Sequence, residues 1–339
     1  MRRVYHVSIC MAYMVSRRNL LVTAASVAAA LLSGGAAAAS LPMLTVGAVQ
    51  FGTLHWLLDV IKDRKFDAEE GFELSPRIVA STGAASIALL GHEADIIATD
   101  WFWVMRQRHL GGDYLFMPFS SAVGGLIVRA DSPVKSVADL KGKKIGIAGG
   151  PIDKSWLLLR AYGIRHGAGD LAATATPVFA APPLLNEEAA AGRLDAILNF
   201  WPFAVRLEAA GYRQIISVSE MMRALGIETR VPLLGFVFPA SLAASHVQAF
   251  SRAVQKGQSI LAQSDQEWER IRPLMNARGD LEFSMLRAQY REGLLTSWNT
   301  HDREAARKLF EIVRETGGED VTGVDVTFDP GAFWDGAVF

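Results

Sequence analysis

The sequence repeats its own landmarks at a spacing of about 100 residues. Trp56 and Trp156 occupy the same place in two helix-like stretches, and the step from acid to indole at 95–101 returns at 195–201. Around each landmark, apolar runs of strand length alternate with amphipathic stretches of helix length. That alternation is typical of a parallel sheet covered by helices. The sequence therefore predicts two similar, doubly wound α/β lobes.

The predicted elements also suggest how the chain passes between the lobes. Strand candidates at 115–119 and 126–130 flank Gly124-Gly125 and would carry the chain from the first lobe to the second, and 233–238 would carry it back. The predicted first lobe is then 40–125 with 233–339, and the second is 126–232. Further strands are expected at 43–49, 72–79, 95–99 and 145–148, helices at 53–65, 84–91, 242–262, 265–275, 283–296 and 302–316, and strand-like alternation at 324–339.

Residues 1–39 have the three parts of a secretory leader: a basic start with four arginines, an apolar run over 20–32, and small residues up to Ala39. The stretch 16–21 also resembles the twin-arginine export motif, with Leu20 where that motif usually has phenylalanine. We expect cleavage after Ala39 and export to the periplasm, by the general or the twin-arginine route. The alternative is a membrane anchor, which the alanine-rich run interrupted by Gly34-Gly35 does not favour.

Charge and cysteine content exclude several classes of protein. The net charge is −1, and removal of the leader's four arginines, with no acid among them, would take it to −5. This balance argues against a nucleic-acid-binding surface. The one cysteine, Cys10, lies in the leader, so no disulfide framework or cysteine-rich metal site is expected.

The sequence has no recognisable catalytic motif. It lacks a dinucleotide or phosphate-binding glycine loop, a His-Glu-x-x-His helix and a Gly-x-Ser-x-Gly elbow. Its seven histidines are dispersed. We therefore predict no catalytic residue, no metal site and no cofactor, which is the pattern of a protein that is not an enzyme.

Binding residues are expected in the loops that follow the carboxyl ends of the strands, because ligands of open α/β sheets bind there. Three such loops belong to the first lobe and two to the second. The predicted ligand-binding residues are Phe51, Gly52 and Thr53; Ser81, Thr82 and Gly83; Asp100 and Trp101; Asp153, Lys154 and Ser155; and Asn199 and Trp201.

The polar members of this set suit a charged ligand. The hydroxyls and backbone N–H groups of 81–83 open a helix and can hold an anion, unless they form an ordinary cap. Asp153 suits a cap, whereas Lys154 opposes the helix dipole and so suits an anionic ligand better than it suits the helix. Asp100 is either a cap or the partner of a ligand amine.

Two tryptophans, Trp101 and Trp201, follow equivalent strands of the two copies. If the lobes face each other, their indoles approach a ligand from opposite sides, and indole faces suit planar groups and cations. The alternative is packing in the core.

The stretch 131–146, Asp-Ser-Pro-Val-Lys-Ser-Val-Ala-Asp-Leu-Lys-Gly-Lys-Lys-Ile-Gly, carries a resemblance to a known family. It resembles the periplasmic solute-binding proteins of nitrate/sulfonate/taurine-type ABC transporters, which are related to the binders of thiamine-pyrimidine precursors. The residues 81–83 and 190–196 and the pair Trp201-Pro202 suggest the same branch. The likeness runs from about Leu44 to about Phe238.

This resemblance implies a periplasmic-binding-protein fold of the type II kind, with two lobes joined by a two-strand hinge. It implies that 81–83 form an anion loop and that Asn199 and Trp201 form a wall of the second lobe. The chain departs from the family at Thr82, which replaces a small residue, and at Phe200, where an acid often stands near Trp-Pro.

The function so implied is capture of a small organic solute for an ABC permease, by a monomer that does not bind nucleic acid. The solute is expected to be a sulfonate or carboxylate anion, or to have an aromatic or apolar part. One alternative is a sensor or accessory protein without its own permease. Another is an enzyme of the pyrimidine-precursor synthase type, which the resemblance disfavours because those enzymes use a cysteine cluster.

Overall fold

The computed structural model describes residues 41–50, 52–318 and 323–339. The predicted leader and the predicted site residue Phe51 lie outside the described residues. From Pro42 to Phe339 the chain forms one compact unit.

Ten strands and thirteen helices make up the described part of this unit. The strands are β1 (Met43–Val49), β2 (Glu73–Val79), β3 (Ile96–Thr99), β4 (Tyr114–Ser120), β5 (Gly125–Val128), β6 (Lys144–Ala148), β7 (Thr176–Ala180), β8 (Ala196–Asn199), β9 (Arg213–Ser217) and β10 (Leu234–Pro239). The helices are α1 (Leu54–Asp63), α2 (Phe66–Glu69), α3 (Thr82–Leu90), α4 (Trp101–His109), α5 (Lys154–Arg165), α6 (Leu171–Thr174), α7 (Pro182–Ala190), α8 (Trp201–Ala209), α9 (Val218–Ala224), α10 (Ala244–Gln263), α11 (Asp265–Met275), α12 (Asp280–Glu292) and α13 (Thr300–Gly317).

The strands form two five-stranded sheets of the same topology, in the orders β2-β1-β3-β10-β4 and β7-β6-β8-β5-β9. In each sheet one strand, β10 or β5, runs antiparallel to both neighbours. The paired acids of the repeat have equivalent roles: Asp95 accepts a hydrogen bond from the Thr45 N–H at 2.7 Å, and Asp195 accepts one from the Lys144 N–H at 2.8 Å. The internal repeat and the predicted fold class are confirmed.

Each sheet takes its antiparallel strand from a segment next to a crossing between the lobes. β4 belongs to the first sheet and ends at Ser120, and the next strand, β5, begins at Gly125 and belongs to the second sheet. β10 returns the chain to the first sheet. Two crossings of this kind form the two-strand hinge, while the residue at which one lobe gives way to the other stays a prediction.

The C-terminal helices do not all pack against the first lobe alone. α10 covers the first sheet, where Phe250 packs edge-on against Phe236 with ring centroids 4.9 Å apart. α13 instead packs along α5 of the second lobe. Its Phe310 also stacks on Phe102 of α4 in the first lobe, at 5.7 Å. Helix α13 therefore contacts both lobes, and the assignment of 302–316 to the first lobe stays a prediction.

The tail also differs from the prediction. The described residues 323–339 form no strand beyond an isolated bridge between Phe116 and Phe333, and they include a short 3-10 turn at Pro330–Ala332. Phe333 packs edge-on against Phe116 at 5.7 Å. The alternating apolar residues serve as separate anchors on the first lobe rather than as one face of a strand. Every helix in the described ranges is too short or too polar to cross a bilayer.

Gly124, at the first crossing, has room for no side chain. A Cβ atom built there would lie 1.7 Å from the Asn199 carbonyl oxygen and 3.0 Å from the Phe200 carbonyl carbon. Both neighbours are backbone atoms, one in the last residue of β8 and one in the residue after it, so they have little freedom to move aside.

We predict that Gly124→Ala lowers the free energy of unfolding by about 1–3 kcal/mol, the usual cost of overpacking. Urea unfolding measures this change. Gly83→Ala is the matched control, because a Cβ there meets only Ser81 Oγ at an ordinary 3.7 Å and alanine favours a helix. Equal stability of Gly124→Ala and the wild type would contradict the steric argument.

Candidate functional site

Four helices begin where the strands of the two sheets end, and they contact one another in pairs across the lobes. α1 and α4 follow β1 and β3 of the first sheet, and α5 and α8 follow β6 and β8 of the second. α4 meets α5 through Asp100 and Lys154. α1 meets α8 through Trp56 and Trp201. The carboxyl ends of the two sheets therefore face each other. The loops at these ends are where the sequence predicts the site.

Asp100 and Lys154 form an ion pair between the lobes. One carboxylate oxygen of Asp100 caps α4 by accepting the Trp103 N–H at 2.9 Å, and the other accepts from Lys154 Nζ at 2.5 Å. The two side chains keep only 16% and 21% of their surface exposed. Burial by itself raises the pKa of Asp100, but Lys154, helped by Arg106, outweighs it and holds that pKa below its ordinary value.

Asp153 stands beside this pair as the cap of α5. Its Oδ1 accepts the Ser155 N–H at 2.9 Å, as the sequence predicted. The side chain is buried, and burial raises the pKa of its carboxyl despite the neighbouring Lys154. The interface thus holds two carboxyl groups and one ammonium, with Lys154 stabilising the charged form of both.

Asn199 positions the end of β8 and has no free polar atom in this arrangement. Its Nδ2 donates to the Pro182 carbonyl at 3.0 Å and to Asn186 Oδ1 at 2.9 Å. Its Oδ1 accepts the Phe200 N–H at 2.9 Å. Asn199 therefore fixes the loop from which Trp201 projects.

Trp101 does not face Trp201, contrary to the expectation from the repeat. Its indole is fully buried, stacks on Phe102 at 4.0 Å and donates Nε1–H to the Pro232 carbonyl at 3.0 Å. The aromatic residues of α13 and the tail enclose it, so it is a core residue beside the hinge. The sequence offered no means of locating this distant partner.

The indole opposite Trp201 is Trp56, at 6.1 Å and nearly perpendicular to it. The sequence analysis used Trp56 only as a marker of the repeat. Its position in the first turn of the helix after β1 is the sequence signal that could have identified it as a site residue. Tyr290 of α12 completes this contact, at 6.1 Å from Trp56 and 6.4 Å from Trp201.

The remaining predicted residues lie at the starts of the first-lobe helices. Thr53 is buried at the start of α1 and makes no side-chain cap, and Gly52 beside it is half-buried. Ser81, Thr82 and Gly83 are exposed, and Ser81 Oγ accepts the Ala84 N–H at 3.1 Å. In this arrangement the 81–83 loop is an ordinary helix cap.

A third lobe-to-lobe contact involves Arg206 of α8, which the sequence did not single out. Its guanidinium pairs with Glu282 of α12, a carboxylate only 5% exposed. It also donates to the carbonyls of Met275 at 2.7 Å and Asn276 at 3.2 Å. Val205, one residue earlier, packs with Trp201 among apolar residues of the first lobe. The lobes are thus in close contact on the α8 side of the site.

One described cavity, of about 270 Å³, lies on the second lobe rather than between the lobes. It is lined in part by Ile152, Trp156 and Phe179, and its arginine, Arg160, is held by both oxygens of Asp170. No residue of the predicted site lines it. In the described ranges, no group of three or more His, Cys, Asp or Glu side chains is arranged to hold a metal ion.

Comparison with known families matches residues 117–267 to the family model described as NMT1/THI5 like. No curated protein matches the sequence. The matched segment runs from β4 through the whole second lobe and back into α11, so it includes both crossings between the lobes.

Solved structures with the same fold cover nearly the whole described chain. The alkanesulfonate-binding protein SsuA from Xanthomonas axonopodis pv. citri, bound to MOPS, has a TM-score of 0.66 at 17% identity, over 88% of this chain and 99% of its own. The periplasmic aliphatic sulphonate binding protein SsuA from Escherichia coli has a TM-score of 0.66 at 15% identity, over 86% and 93%. The desulfurization enzyme DSZB has a TM-score of 0.56 at 15% identity, over 88% and 96%. These matches confirm the predicted resemblance and fold.

The Asp100–Lys154 pair gives a prediction with a defined pH dependence. In Lys154→Met the Asp100 carboxylate stays buried without its cation, and we expect a loss of about 3 kcal/mol of unfolding free energy at pH 7. In the wild type the lowered pKa means that the pair stabilises the fold above about pH 4, and that this contribution is lost as the pH falls further. In the variant the Asp100 pKa rises, so protonation neutralises the unpaired charge and the difference from wild type shrinks as the pH approaches 4.

Urea unfolding at pH 7 and at pH 4.5 measures this difference. Arg129→Met is the matched control, because Arg129 pairs with Asp131 at the exposed surface and its loss is expected to change stability little at either pH. A Lys154→Met deficit of the same size at both pH values would contradict the electrostatic argument.

Proposed function

We propose that this chain is the periplasmic solute-binding component of an ABC importer. The observation that carries the proposal is the meeting of the two lobes at the carboxyl ends of their strands, through the buried Asp100–Lys154 pair beside the hinge. Two lobes joined by two crossings can close on a solute at such a site. The likeness in fold to SsuA proteins supports the same reading.

In the proposed cycle, opening of the lobes separates Asp100 from Lys154 and exposes both to water. A solute with an anionic group would then take the place of Asp100 on Lys154 Nζ, or a solute amine the place of Lys154 on Asp100. Closure would bury the new contact. Because a ligand shifts such an equilibrium only by its preference for one state, the solute must favour the closed form by a few kcal/mol.

The proposed setting follows from the leader. Residues 1–39 would direct export and be removed after Ala39, and the mature chain would act in the periplasm as a monomer that presents its loaded form to a permease. A sensor or accessory protein without its own permease would use the same site. If deletion of the gene abolishes uptake of the bound solute, the result favours transport over sensing.

An enzyme is the second candidate, supported by the likeness in fold to the desulfurization enzyme DSZB. The one cysteine of this chain lies at position 10, inside the predicted leader, so an enzyme of the pyrimidine-precursor synthase type, which uses a cysteine cluster, is disfavoured. Conversion of a bound compound, followed by mass spectrometry of the compound after incubation, would favour the enzyme over the binding protein.

The binding function predicts a solute-dependent rise in thermal stability. Purified protein, unfolded and refolded to release any solute carried over, would be heated with ethanesulfonate, benzenesulfonate, acetate, benzoate, nitrate or ethylamine. At about 100 times its dissociation constant, a bound solute should stabilise the fold by about 2.7 kcal/mol. A shift with the anions alone would assign the charged contact to Lys154, and a shift with the amine alone would assign it to Asp100. No shift with any member would contradict capture of a small charged solute.

A further inference from the structure

Three aromatic side chains from both lobes meet at the interface between α1, α8 and α12. Trp56 and Tyr290 come from the first lobe and Trp201 from the second, and we call these three residues the ring cluster. Their centroids are 6.1 to 6.4 Å apart, and Trp201 meets each of the other two rings edge to face. Since Trp201 belongs to the other lobe, hinge opening would remove it from Trp56 and Tyr290.

Two polar atoms of the ring cluster lack a hydrogen-bond partner. Trp56 Nε1 and the Tyr290 hydroxyl are both buried, in side chains only 2% and 5% exposed, without an acceptor in the described structure. The neighbouring indole of Trp268 is satisfied, because its Nε1 donates to the Leu261 carbonyl at 2.7 Å. A buried donor without an acceptor costs about 1–3 kcal/mol. Packing alone therefore does not account for two such donors at one lobe-to-lobe contact.

Other unpartnered atoms in the described ranges do not share this setting. Asp59 Oδ1 and Arg291 Nη2 are in ion pairs, with Arg270 at 2.7 Å and with Asp265 at 2.8 Å. Trp298 Nε1 is also unpartnered, but its ring packs on Phe333 of the tail. Thr229 Oγ1 is unpartnered as well, in a half-buried residue on the loop that leads to β10. Among the described residues, only the ring cluster combines such donors with aromatic rings from both lobes.

The donors are neutral groups, which limits the chemistry that they can recognise. Burial raises the pKa of Tyr290, so its phenol keeps its proton at physiological pH. The nearby arginine of α8, Arg206, is already occupied by Glu282 and by backbone carbonyls. Aromatic walls with neutral donors favour a planar, uncharged group that has a hydrogen-bond acceptor, such as a carbonyl or a ring nitrogen.

We infer that the ring cluster is a subsite for a planar aromatic or heteroaromatic group of the solute, which enters between Trp201 and the pair Trp56–Tyr290 and accepts hydrogen bonds from Trp56 Nε1 and the Tyr290 hydroxyl. The inference rests on the proposed solute-binding function and narrows its substrate class. A site whose buried donors are left unpaired by the wrong solute discriminates strongly against that solute.

The test compares two neutral amides that share one acceptor and differ in ring planarity, benzamide and cyclohexanecarboxamide, by titration calorimetry with the purified full chain. Benzamide is expected to bind about threefold to tenfold more tightly, because only its ring is aromatic. Tyr290→Phe keeps the ring and removes the hydroxyl, and it should weaken benzamide binding by about threefold to tenfold. Its melting temperature should stay unchanged or rise, because the lost hydroxyl has no hydrogen-bond partner in the described structure.

Tyr114→Phe is the matched control, since Tyr114 lies on β4 against Trp103, outside the ring cluster, and its loss of a hydroxyl should leave benzamide binding unchanged. Equal affinity for the two amides, unchanged benzamide affinity in Tyr290→Phe, or failure of both amides to bind would each overturn the subsite. Ethanesulfonate titrated into the same preparation separates the two proposals. If it binds while the amides fail, solute binding stands without the ring subsite, and if nothing binds, both proposals fail.

Discussion

The two crossings between the sheets are the constraint on which the rest of this structure depends. Each sheet is completed by one antiparallel strand next to a crossing, so neither lobe has a complete sheet without the segment that links it to the other. The linking segments are therefore held by strand pairing on both sides. Gly124 shows how tight the arrangement is, because its backbone lies directly against the carbonyl group of Asn199 at the end of β8.

Once the crossings are fixed, the helices that begin at the strand ends must meet. They meet in cross-paired fashion, the helix after β1 with the helix after β8, and the helix after β3 with the helix after β6. One contact is charged, Asp100 with Lys154, and the other is aromatic, Trp56 with Trp201. A buried ion pair adds little net stability because desolvation offsets its attraction. Under the proposed function, a charged solute would replace the charged contact, and the aromatic contact would hold the uncharged part of that solute.

Further contacts hold the lobes together on both sides of the site. Arg206 joins α8 to Glu282 and to the carbonyls that end α11, and α13 packs on α5 while its Phe310 stacks on Phe102 of the first lobe. These contacts would have to break or slide as the lobes open. The lobes are thus joined by charged, aromatic and apolar contacts, and under the proposed function a solute would need to supply only the difference in free energy between the open and closed states.

The sequence by itself determined the two-lobed fold and most of the elements, because strand and helix periodicity and the 100-residue repeat are local properties of the chain. It also indicated that Asp100 and Asp153 cap helices and that Lys154 opposes a helix dipole, since these properties follow from position at the start of a helix. Only the tertiary structure decided which side chains meet. Trp101 and Trp201 occupy equivalent positions in the repeat, yet Trp101 is enclosed by rings from α13 and the tail, whereas Trp201 crosses to Trp56 and Tyr290. Trp201 meets Trp56 and Tyr290, Arg206 meets Glu282, and Phe310 meets Phe102, each from 76 or more residues away along the chain, and periodicity carries no information about contacts at that distance.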